Sequence, residues 1–87
     1  TPALAAHPNP APASALHLRL TLDREESCSL TLHDLQGRLL WTFRQTLPAG
    51  THDLPVHWQH RPAPGLVLAR LETASGHVAL AKVVLTP

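Results

Sequence analysis

Leucine recurs at every second position from Leu16 to Leu22, and the same beat returns along most of the chain. A period of two puts alternate side chains on opposite faces of an extended strand, one face apolar and one wet. Leu16, Leu18, Leu20 and Leu22 alternate with His17, Arg19 and Thr21, and Cys28, Leu30 and Leu32 alternate with Ser29, Thr31 and His33. A third strand is expected over 38–44, with Leu39, Trp41 and Phe43 on one face and Leu40 and Thr42 on the other. A fourth spans 51–58 and is interrupted by Pro55, which points to an edge strand or a bend. The run from Leu66 to Glu72 is apolar at first and alternating later, as in a central strand, and 78–85 reads as the last strand.

Turn signals separate these runs. They are Asp23-Arg24-Glu25-Glu26, Asp34-Leu35-Gln36-Gly37, Leu47-Pro48-Ala49-Gly50, the Pro62 and Pro64 loop, and Ala74-Ser75-Gly76. No segment has a helical repeat. Six or seven short strands with frequent turns predict an all-β fold, an immunoglobulin-like antiparallel β-sandwich of about seven strands. Two packed sheets can share a core that a lone hairpin lacks. Residues 1–13 carry Pro2, Pro8, Pro10 and Pro12 among alanines, so a Pro/Ala-rich linker and first edge segment is expected there, with the sandwich over 14–87.

The chain has 87 residues, enough for one core and too few for two. Seven Lys or Arg face six Asp or Glu, and the basic residues are scattered without a stripe. That pattern argues against nucleic acid, whose binding needs clustered phosphate neutralisation. Seven histidines can add positive charge in mild acid. The single cysteine excludes an internal disulfide, and no apolar run approaches the roughly 20 residues of a membrane-spanning helix. With no initiator Met or signal peptide, the expectation is a piece cut from a larger protein.

Candidate chemistry is sparse. His57 and His60 lie three residues apart with His52 nearby, but zinc needs three or four converging donors, and surface histidines are the simpler reading. Cys28 is in phase with Leu30 and Leu32, so it is expected in the core as a small hydrophobe. Ser27, Ser29 and Ser75 sit outside any nucleophile elbow, Glu25-Glu26 marks a turn, and no glycine-rich phosphate loop is present. No catalytic residue, cofactor or metal site is expected. Trp41 and Trp58 invite a sugar-binding platform, yet Trp41 alternates with core positions, and the chain has only two Trp, one Phe and no Tyr. Trp58 follows the proline-broken strand, and its role stays open.

The order of the turn motifs resembles the type A C-terminal sorting domain of type IX secretion (Por secretion system) substrates, found in Bacteroidota and their relatives. Pro8-Asn9-Pro10 matches the family's opening, and Asp34-Leu35-Gln36-Gly37-Arg38 matches its Asp-x-x-Gly-Arg turn. Gly50-Thr51-His52-Asp53-Leu54 matches a Gly-x-x-x-Leu segment, and Pro64-Gly65-Leu66-Val67 a Pro-Gly-x-Tyr strand with Val67 in place of the Tyr. Gly76 and Lys82-Val83-Val84-Leu85 match the final turn and strand, here followed by Thr86-Pro87. The resemblance spans residues 7–86. The immunoglobulin-like domain of flagellar hook-capping proteins is a close cousin, sharing the Asn-Pro opening and the Gly-Arg turn. Gly50 to Trp58 fits that version well, but the continuation through Gly76 and Lys82 favours sorting.

The resemblance implies a non-catalytic secretion signal carried behind an N-terminal cargo domain. Such a domain is read by the outer-membrane translocon and its shuttle and sortase proteins, in transit from periplasm to cell surface, and in many members is then cleaved off. Gly76, Lys82, Val83, Val84 and Leu85 would be recognised, for instance by strand addition to an exposed edge. Pro8, Asn9, Pro10, Asp34, Gly37, Arg38, Gly50 and Gly65 would be structural. Alternatively, Val78, Leu80 and Val84 simply fill the core, with Lys82 guarding an edge. The rival function is a passive carbohydrate-binding or spacer module of a secreted enzyme.

Overall fold

The computed structural model describes residues 2–87 and contains eight strands: β1 (Ala3–His7), β2 (Ala11–Pro12), β3 (His17–Leu22), β4 (Glu26–His33), β5 (Leu39–Leu47), β6 (Gly50–Pro55), β7 (Gly65–Thr73) and β8 (Val78–Thr86). A single 3-10 turn, Ala13–Ala15, interrupts them. They form two sheets, one ordered β1-β3-β6 and the other β2-β8-β7-β4-β5. The placement of β3 and β6 in one sheet and of β4, β7 and β8 in the other is that of an immunoglobulin-like sandwich. Every pairing is antiparallel except β2 on β8, which is parallel. No helix among the described residues is long and apolar enough to cross a membrane.

Alternation places the core as expected. Leu16, Leu18, Leu20, Leu22, Cys28, Leu30 and Leu32 are all buried, and they meet Val67, Ala69 and Leu71 of β7 and Val83 and Leu85 of β8. The centre of the larger sheet is β7, flanked by β4 and β8, which suits its apolar inward run. Pro55 closes β6 opposite His17 on the open side of the smaller sheet, so the strand stops there rather than at Trp58. An edge tolerates a residue without an N–H. Val56 then donates its N–H to the Leu16 carbonyl and is buried.

Two features position the site. Residues 3–7 and 11–12 form β1 and β2, each at an edge of its sheet. Leu4 and Ala6 of β1 pack on the core while β1 pairs with β3 from Ala3 opposite Thr21 to His7 opposite His17. Pro8, Pro10 and Pro12 fall between or at the ends of the paired stretches, so their missing N–H groups interrupt little of the ladder. The second feature lies in β5. Pairing with β4 shifts between Leu32, opposite Trp41, and His33, opposite Leu39, so Leu40 is an extra residue. This bulge turns Leu39 outward, 55 % exposed, and lets Leu40 pack on the core beside Trp41.

Candidate recognition surface

The last strand has two unlike faces. Val83 and Leu85 point inward and are buried, with Ala79 and Ala81 half-buried along the same face. Val78, Leu80, Lys82 and Val84 share the opposite parity and are exposed, Leu80 at 71 %. The alternative in which Val78, Leu80 and Val84 fill the core is therefore overturned. A lysine in phase with them cannot be buried unpaired, so the whole row faces solvent with it.

Neighbouring strands extend this face. Leu68 lies opposite Lys82, Leu66 opposite Val84, Arg70 opposite Leu80 and Glu72 opposite Val78. Leu68 is itself exposed, so an apolar band runs over β8 and β7 with one ammonium at its middle. Arg70 and Glu72 pair with each other at 3.0 Å, and Lys82 stands exposed at the middle of the band.

One long edge of β8 is fully paired with β7. On the other side, β2 pairs with it only at Leu85 and Thr86. Between them Asn9 acts as a substitute strand. Its Nδ2 donates to the Lys82 carbonyl at 3.0 Å, and the Val84 N–H donates to its Oδ1 at 3.0 Å. The Pro8-Asn9-Pro10 segment, whose two X-Pro bonds are cis, thus clamps the terminal strand across about 75 residues of chain. On this side, the stretch of β8 ahead of Lys82 is paired with neither β2 nor Asn9. Replacing Asn9 by Ala removes two hydrogen bonds and is expected to cost about 1–3 kcal/mol in a thermal or urea melt. An unchanged midpoint would show that the clamp contributes nothing.

The other motif residues shape turns. Asp34 Oδ1 accepts from the backbone N–H groups of Gln36 and Arg38 at 3.0 and 2.9 Å, and Oδ2 accepts from Arg38 Nε at 2.9 Å. The Arg38 side chain is the main reason that the Asp34 carboxyl is held below the usual range. Gly37 closes this turn at φ 85°, a conformation that side-chain-bearing residues rarely adopt. Gly50 and Gly65 open β6 and β7, and Gly76 lies in the turn before β8. A cleft of about 570 Å³ lies between the Asp34 turn and the Pro62–Pro64 loop.

The remaining candidates resolve as follows. Cys28 is buried, and burial, with Glu26 adding to it, pushes its thiol up, the opposite of an activated nucleophile. Ser75 does meet a carboxylate and an imidazole, Glu26 Oε1 at 2.9 Å and His77 Nδ1 at 3.0 Å. The carboxylate, however, binds the serine itself and its backbone N–H, so it closes a turn instead of orienting a base. The Ser75 hydrogen bond holds Glu26 below its ordinary value. Trp58 is half-buried against the core and donates its indole N–H to the Ala13 carbonyl at 2.8 Å, a fixed structural position. Trp41 and Phe43 stack with centroids 6.0 Å apart on the inner face of β5.

His57 and His60 are exposed and join no cluster of donors among the described residues. His52 donates its Nε2–H to the Pro48 carbonyl at 2.8 Å. The titratable side chains that do converge are His7, His17 and Asp53, from three different strands. Their separation in sequence hid them, although the alternation of β3 places His17 on an outward face.

No protein-family model matches this chain, and no curated protein matches it.

Proposed function

We propose that this domain is a C-terminal sorting module of a larger exported protein, read by the type IX outer-membrane translocon. The observation that carries the reading is the division of β8 into a buried anchor, Val83 and Leu85, and an exposed apolar row around Lys82. A strand held from behind by the core offers its outward side chains to a receptor without unfolding. The motif resemblance supports the same reading: Asn9 clamps this strand, and Asp34, Gly37 and Arg38 form the turn that joins β4 to β5 in the same sheet. The domain is the object of sorting and performs no chemistry of its own. Transit through the periplasm to the cell surface, and removal of the domain there, belong to this proposal.

The test is a fusion of residues 1–87 behind a fluorescent protein that carries a periplasmic export signal, in a type IX-competent bacterium. Fluorescence outside the outer membrane, lost in a translocon mutant, is the expected result. A Leu80→Asp, Lys82→Glu double variant should stay folded and remain in the periplasm. Periplasmic retention of the folded wild-type fusion would overturn the reading.

A further inference from the structure

His7 ends β1, His17 begins β3, and Asp53 lies in β6, so the three face one another across the smaller sheet. His7 Nε2 is 2.9 Å from Asp53 Oδ1, and His17 Nδ1 is 3.5 Å from Asp53 Oδ2. The three donor atoms all lie within 4.8 Å of one another. The imidazole rings are tilted by 34° with centroids 5.4 Å apart, so they splay rather than stack flat.

Two observations mark this group as more than a surface ion pair. His17 Nδ1 is shielded from solvent and has no hydrogen-bond partner. A shielded lone pair or N–H without a partner is costly, and native structures rarely leave one. The second concerns His7 Nε2, which faces the Asp53 carboxylate at 2.9 Å and the Arg19 guanidinium at 3.4 Å. Arginine only donates and a carboxylate only accepts, so one ring nitrogen cannot serve both. His17 Nδ1 is thus unmatched to a protein partner, His7 Nε2 is held against Asp53, and each can act as a lone-pair donor when its ring carries the proton on the other nitrogen.

We propose that His7, His17 and Asp53 form a binding site for a divalent transition-metal ion of the zinc class. Two imidazole nitrogens and one carboxylate oxygen suit such an ion, and the fourth position opens to water. Metal–donor bonds of about 2.0–2.2 Å in tetrahedral arrangement separate donors by roughly 3.3 Å. His7 Nε2 and His17 Nδ1 lie 2.9 and 3.5 Å from different Asp53 oxygens, so seating both nitrogens and one carboxylate oxygen on a single ion needs a small rotation of the carboxylate. The side chains are about two-fifths exposed, while His17 Nδ1 itself is shielded, so the His17 ring must turn to meet an ion arriving from solvent. Bound there, it ties β1, β3 and β6 together at one end of the smaller sheet. Arg19 is the one nearby cation that opposes it, and its guanidinium must swing away.

Zinc chloride titrated into residues 1–87 tests this by calorimetry, with the histidine ring signals followed by NMR. One equivalent should bind, and of seven imidazoles only His7 and His17 should shift. His17→Ala and Asp53→Asn should each weaken binding by at least about tenfold, the least expected when even a supporting group is lost. Arg19→Gln should tighten it. Circular dichroism shows whether each variant is folded, and the wild-type ring shifts decide the matter if one is not. Absence of saturable binding, or shifts centred on His57 and His60, would overturn the assignment.

Discussion

Deletion of residues 82–87 should abolish cooperative folding, and with it the surface delivery proposed for this domain. The deletion removes Val83 and Leu85, both buried, together with the parallel pairing to β2 and the groups that Asn9 clamps. Burying each such side chain contributes about 1.5–3 kcal/mol. Together with the lost hydrogen bonds the deletion approaches the roughly 5–15 kcal/mol by which a whole domain is stable. Circular dichroism melts of the truncated chain should show no cooperative transition. A folded truncated domain with a melting point near the wild type would contradict the assignment of β8 as a core strand. Loss of surface delivery after such a deletion therefore says little about recognition. Lys82→Glu separates the two effects. An exposed substitution of this kind changes stability by about 0.5 kcal/mol or less, yet it inverts the charge at the centre of the apolar band.

The second large effect is expected at Leu30. This side chain is fully buried in β4, paired with Phe43 on one side and Leu71 on the other. Leu30→Ala should destabilise the fold by about 2–5 kcal/mol, the range for leucine truncation in cores. At about 4–8 °C per kcal/mol for a domain of this size, the melting point falls by some tens of degrees. Leu30→Met keeps the volume and should cost less than about 1.5 kcal/mol. Equal and small effects of both substitutions would place the core elsewhere. Cys28, two residues away on the same face, is a packing residue for the same reason and not a reactive thiol.

The exposed face of β8 also carried a readable signal. Lys82 has the parity of Val78, Leu80 and Val84, and that alone points the row outward once the strand is assigned. Both faces of β8 are apolar, so hydrophobicity could not set the phase; the single charge could. Alanines at 79 and 81 fit the inner side, where β1 lies close to β8. Asn9 is a different case. Its motif was visible, but its work as a clamp depends on β8 passing beside it, and no local pattern encodes that distance.

By itself the chain determined the buried faces of β3 and β4 and where it turns. Alternation of Leu with polar residues answers only to water, and glycine at a positive φ answers only to the local backbone. Leu16 through Leu22, and Cys28, Leu30 and Leu32, needed no partner strand to reveal their buried faces. The tertiary structure alone decided the bulge that turns Leu39 outward, the inclusion of Ala3–His7 in the smaller sheet, and the meeting of His7, His17 and Asp53. Those features depend on register between segments far apart in sequence. Register is set by the summed packing and pairing of whole strands, so no short stretch of the chain contains it.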